Sequence, residues 1–302
     1  MNKRKVLIGI ITIGCVLSGA TYFFIKFIPH RDKAIEKKQE SVLIESKKTQ
    51  NNELSKTKKE TAKITPDTNT AIEALINKLT DEDLKIAQEA ADKLVNMKEK
   101  AIPALITALK EASVGLKGQI VFILGRICSK KATPDLTEVL RNDENAYVRS
   151  NTAVALGKIR DEKSLSALTF SLFDKDTSVR QNSAWALGRL KDSQAAGSLL
   201  QSLNEEKEMG VRSAVVDSLG ALRDRSATEA LLVELKAQND LSYKNEVVMA
   251  LGEIADPKAL DGLTEYLSVL KQYRPPDGLK WYYQESIRKV EAAIEKIKVN
   301  PR

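Results

Sequence analysis

The chain has 302 residues, 5% of them aromatic, with a formal charge of +7, two cysteines and one histidine. A single imidazole, His30, excludes a zinc or iron site of several histidines and leaves no material for histidine-based dyads or triads. Cys15 and Cys128 cannot make a disulfide framework, and Cys128, which follows an apolar helical stretch, reads as a half-buried structural thiol. The basic balance suits nucleic acid, anionic lipid or acidic partners, and equally a lysine-rich helical surface.

Residues 1–5 form a short basic tail around Lys3, Arg4 and Lys5. Val6 to Ile25 then carry no charge, and twenty helical residues span about 30 Å, a bilayer core. Tyr22, Phe23 and Phe24 stand where aromatic rings favour an interface. Residues 6–28 are therefore expected to be a transmembrane signal anchor. Two alternatives remain open: a cleaved signal peptide ending near Ser18-Gly19-Ala20, and a lipobox-like Ile13-Gly14-Cys15. The positive-inside rule places the remainder outside the cytoplasm, so the expectation is a single-pass cell-membrane protein of bacterial type. Residues 29–68, rich in Lys, Glu, Gln, Ser and Thr, read as a charged flexible stalk.

From about residue 69 the chain repeats. Leu-Gly recurs at Leu124-Gly125, Leu156-Gly157, Leu187-Gly188, Leu219-Gly220 and Leu251-Gly252, with glycine spacings of 32, 31, 32 and 32. Eight residues before each glycine stands a cation: Lys117, Arg149, Arg180, Arg212 or Lys244. Four residues after it stands Ser129, Asp161, Asp192, Asp224 or Asp256, a capping residue for the next helix. Val148, Thr152, Ala155, Leu156 and Ile159 form one helical face, and Leu165, Leu168 and Leu172 form that of the next helix. In the degenerate first pair, Ile86, Ala90, Leu94 and Met97 keep the face; the last pair carries an insertion, and atypical ends seal a solenoid. The expectation is an all-α, right-handed α-solenoid of about seven antiparallel helix pairs over residues 69–298, preceded by one transmembrane helix.

The strings Asp143 to Gly157 and Asp174 to Gly188, Asp-x-x-x-x-x-Arg followed by Ala-Leu-Gly, resemble HEAT-like repeats of the phycobilisome-lyase type. The resemblance covers residues 69–298 and implies a structural ladder in which carboxylates (Asp143, Asp174, Glu206) and arginines (Arg149, Arg180, Arg212) tie repeat to repeat. It also implies that the second helix of each pair lines a concave face. Among HEAT-like proteins, lyases attach bilins, and hydroxylases bind iron through His–Glu pairs; the solenoid has no histidine, which argues against the latter.

Six residues after the apolar residue that opens each second-helix face, the side chain points away from the core. That position holds Phe122, Val154, Trp185, Asp217 and Met249, and Asp92 in the first repeat. An apolar stripe of Phe122, Val154, Trp185 and Met249, flanked by Arg126, Lys158 and Arg189, is a candidate partner-binding groove. Its competing explanation is lateral packing between second helices. Tyr273, Trp281, Tyr282 and Tyr283, around the turn signal Pro275-Pro276-Asp277-Gly278, form a second candidate edge or an end cap. No catalytic residue, metal or cofactor is expected. The function expected is a non-enzymatic, membrane-tethered scaffold for a protein or peptide. A bilin-lyase-like chromophore chaperone is the alternative, and nucleic-acid backbone binding is disfavoured.

Overall fold

A computed structural model of the chain describes residues 66–300. Among the described residues the regular structure is entirely helical: fourteen α-helices, with short 3-10 turns between them. They form seven consecutive pairs. The first helices are α1 (Pro66–Asn77), α3 (Ile102–Glu111), α5 (Thr133–Asn142), α7 (Leu165–Ser171), α9 (Ala196–Glu205), α11 (Thr228–Ala237) and α13 (Ala259–Gln272). The second helices are α2 (Leu84–Asn96), α4 (Val114–Ile127), α6 (Ala146–Ile159), α8 (Thr177–Leu190), α10 (Met209–Leu222), α12 (Leu241–Ile254) and α14 (Lys280–Val299).

Local chemistry fixes the ends. Pro103 and Pro134 stand in the first turns of α3 and α5, where no amide partner is lost. Asn145, Asp176 and Asp240 cap α6, α8 and α12 by accepting backbone N–H bonds. The repeated Asp161, Asp192 and Asp224 cap a single 3-10 turn that precedes the next helix, rather than the helix itself. Each second helix from α4 to α12 ends on a residue in left-handed conformation (Cys128, Arg160, Lys191, Arg223, Ala255), which reverses the chain without glycine.

Each second helix packs on its own first helix and on the second helices before and after it. The repeated glycine makes this lateral approach possible: a Cβ on Gly220 would stand 2.8 Å from the Ala250 backbone. The core is one continuous cluster of Leu, Val, Ile and Ala from Ile72 to Ile297. Burial of each such Leu or Val stabilises by about 1.5–3 kcal/mol.

Three expectations are corrected. The first-repeat face is rotated by one residue: Ala87, Ala90, Ala91 and Leu94 are buried, whereas Ile86 is exposed. Cys128 is exposed, because it is the left-handed terminal residue of α4; its thiol donates to the Lys158 carbonyl at 3.1 Å. The single-pass placement at the cell membrane is withdrawn. No helix among the described residues is long and apolar enough to cross a membrane, and the proposed anchor at residues 6–28 lies outside them, as do the tail at 1–5 and most of the stalk at 29–68.

Candidate binding face

The repeated cations sit in the first turn of the second helices, against the helix dipole, so they need acceptors. Arg149 Nη1 donates to the carbonyls of Asp143 and Glu144 in its own interhelix loop, while Nε and Nη2 each reach Asp174 of the next repeat at 2.8 Å. Arg180 repeats the arrangement, with the Asp174 carbonyl behind it and Glu206 ahead at 2.7 and 3.1 Å. Lys117 pairs with Asp143 at 2.6 Å. The carboxylates also accept backbone N–H bonds from Asn145, Asp176, Lys207 and Glu208.

The register changes at the fourth rung. Gln238 carries no charge, so Arg212 pairs with Glu234, one turn earlier on α11, which also accepts from the Tyr243 hydroxyl at 2.8 Å. Lys244 lies over the Tyr266 ring, 5.1 Å from its centroid, and burial lowers its pKa. Burial opposes the charge on Asp174 and Glu206, but the arginine and backbone N–H bonds outweigh it and hold both pKa values below the ordinary carboxylate range.

The middle of the second helices differs. Phe122, Trp185 and Met249 are 49%, 39% and 56% exposed, Val154 is half-buried and Asp217 is exposed. Phe122 is clasped between Arg126 and Lys158, at 5.8 and 5.0 Å from its ring centroid, and Arg189 lies 5.8 Å from the Trp185 ring. Trp185 also leans on the preceding second helix, since a Cβ on Gly157 would come within 2.7 Å of its ring. Lateral packing and exposure therefore coexist in one side chain. Arg126 pairs with Asp92 at 2.7 Å; among the described residues Lys158 and Arg189 have no carboxylate partner.

Sequence reasoning missed two contributors to this face. Tyr147, 59% exposed, covers Gly118, where an added Cβ would come within 2.6 Å of its ring. Glu246 faces Asp217 from the neighbouring helix and has a buried carboxylate oxygen with no hydrogen-bond partner. Partial desolvation, followed by the Glu246 charge, raises the pKa of Asp217. The repeat register marks both positions as unusual: Tyr147 stands where other repeats have Gly115, Ser178, Gly210 or Ser242, and Glu246 where they have Gln119, Asn151, Asn182 or Ala214.

In the last pair, Tyr273 stacks on Tyr283 at 4.8 Å and Trp281 tilts against Tyr282 at 5.5 Å. Tyr283 packs on the core and Trp281 stays exposed, so these rings close the end of the array around Tyr266. Burial pushes the Tyr266 hydroxyl up to about 12.

Successive windows covering residues 72–241, more than half of the chain, match the family described as HEAT repeats. The chain belongs to the HEAT-repeat family. Within it, the chain is 37% identical over 71 residues to deoxyhypusine hydroxylase-B of Oryza sativa subsp. japonica, 23% of this chain and 24% of that protein. The match thus spans about a quarter of that relative's length. The phycocyanin lyase complex of CpcE and CpcF from Nostoc sp. is 23% identical, with 75% of this chain and 94% of that chain covered and a TM-score of 0.44. Human deoxyhypusine hydroxylase, in complex with glycerol, is 20% identical with 77% and 97% covered and a TM-score of 0.34. Structural likenesses this distant carry no argument about activity.

The hydroxylase relatives in sequence overturn the expectation that the chain is not an enzyme: the repeats it shares with them belong, there, to proteins named as enzymes. The His–Glu iron ligands of HEAT-like hydroxylases do not fit the described residues. The sole histidine, His30, lies outside them, and no group of three or more His, Cys, Asp or Glu among them could hold a metal ion.

Proposed function

We propose that this HEAT-repeat scaffold binds a protein or peptide segment along the exposed middle of its second helices, the concave side of the array. The observation that carries the reading is the contrast in charge use. Arg149 and Arg180 of the ladder engage every guanidinium nitrogen with an acceptor, whereas Lys158 and Arg189 rest on exposed aromatic rings and have no carboxylate partner among the described residues. An aromatic ring beside an available cation presents apolar area and charge together, the combination that anchors interfaces. The aromatic cluster around Trp281 serves the end of the array instead, since Tyr283 is packed into the core beside it.

A photoreactive phenylalanine analogue placed at Phe122 tests this, with Phe170, an exposed side chain of a first helix, as the control. The reading requires discrete adducts from position 122 that vanish in a Trp185→Ser/Met249→Ser background. The same adducts from both positions would refute it.

A further inference from the structure

The exposed face changes sign along its length. From α4 to α8 it carries Lys158 and Arg189 beside Phe122 and Trp185. From α10 to α12 it carries Asp217 and Glu246 beside Met249, and among the described residues neither carboxylate has a cation partner. Holding two facing acids without a counter-ion costs stability, and one Glu246 oxygen is buried without any partner. In the ladder, by contrast, each paired carboxylate meets a cation.

Resting on the peptide-binding reading above, we propose that the face recognises an extended peptide of mixed charge: acidic side chains over Lys158 and Arg189, a basic side chain between Asp217 and Glu246, and apolar side chains on Phe122, Trp185 and Met249. Five neighbouring second helices, α4 to α12, at interaxial distances of about 9–10 Å span roughly 40 Å, or about 12 extended residues. A nucleic-acid strand fits less well, because its phosphates would be repelled by Asp217 and Glu246 over the second half of the path.

The test uses the full chain and fluorescein-labelled synthetic peptides of about 12 residues. One set joins a glutamate block to a lysine block through leucine and tryptophan, in both orders; the controls carry glutamate only or lysine only. At least one mixed order binds about tenfold more tightly than either control. Lys158→Gln/Arg189→Gln removes the preference for the acidic block, and Asp217→Asn/Glu246→Gln removes that for the basic block, each in protein that melts cooperatively. Lys158→Glu/Arg189→Glu shifts the preference to the lysine-only peptide. Equal binding of mixed and glutamate-only peptides, or no effect of Asp217→Asn/Glu246→Gln, overturns the proposal while peptide binding itself stands. No binding by any peptide, with adducts from position 122 no different from those at 170, removes both. A single-stranded DNA probe that outcompetes every peptide and releases steeply with salt also overturns it.

Discussion

The first turn and the middle of the same second helices solve opposite problems. In the first turn, Arg149 and Asp174 are buried and fully engaged: their side chains are only 6% and 13% exposed and share two hydrogen bonds. In the middle, charges and aromatic rings face outward with few partners. Charge type alone therefore does not tell a binding residue from a supporting one; the number of acceptors around it does.

The largest effect is expected at the ladder. Arg149→Ala leaves the Asp174 carboxylate without its counter-ion and two loop carbonyls without this donor, and should destabilise by about 3–5 kcal/mol in urea unfolding. A loss below 1 kcal/mol would place Arg149 with the exposed charges and erase the contrast. Gly157→Ala comes next. Its Cβ would stand 2.9 Å from the Ala186 backbone and 2.7 Å from the Trp185 ring, so the helices must part, at about 1–3 kcal/mol.

Acid should reveal the same division. Asp174 and Glu206 have lowered pKa values, so their contribution is present above the unfolded values of about 4 and is lost as pH falls through the folded ones. Asp217 has a raised pKa, so its cost sets in as pH rises above the unfolded value of about 4 and is complete above the folded one. Asp217→Asn should raise the melting temperature at pH 7 and change it less at pH 4. The smallest effect belongs to the helix ends: Arg160→Gly or Lys191→Gly relieves a left-handed non-glycine residue and should stabilise by up to about 1 kcal/mol by thermal unfolding.

The period, the glycines and the outward direction of Phe122, Trp185 and Met249 were legible in the sequence, because helical geometry fixes them from spacing alone. The partner of Arg212 was not. A glutamate one turn before the uncharged Gln238 lies within reach of a long guanidinium, and only the packed structure shows which acid it takes. Cys128 was misread for a related reason: an apolar run says nothing about where a helix turns left-handed and lifts its last side chain outward. The facing of Asp217 and Glu246 depends on how adjacent repeats stagger, which a repeat count does not specify.

The most direct test of the division measures unfolding and peptide capture on the same sample of Phe122→Ser. The midpoint of urea unfolding should stay within the error of the unsubstituted chain while capture of the mixed-charge peptide is lost. A collapse of the midpoint with capture intact would place Phe122 in the core and contradict the account.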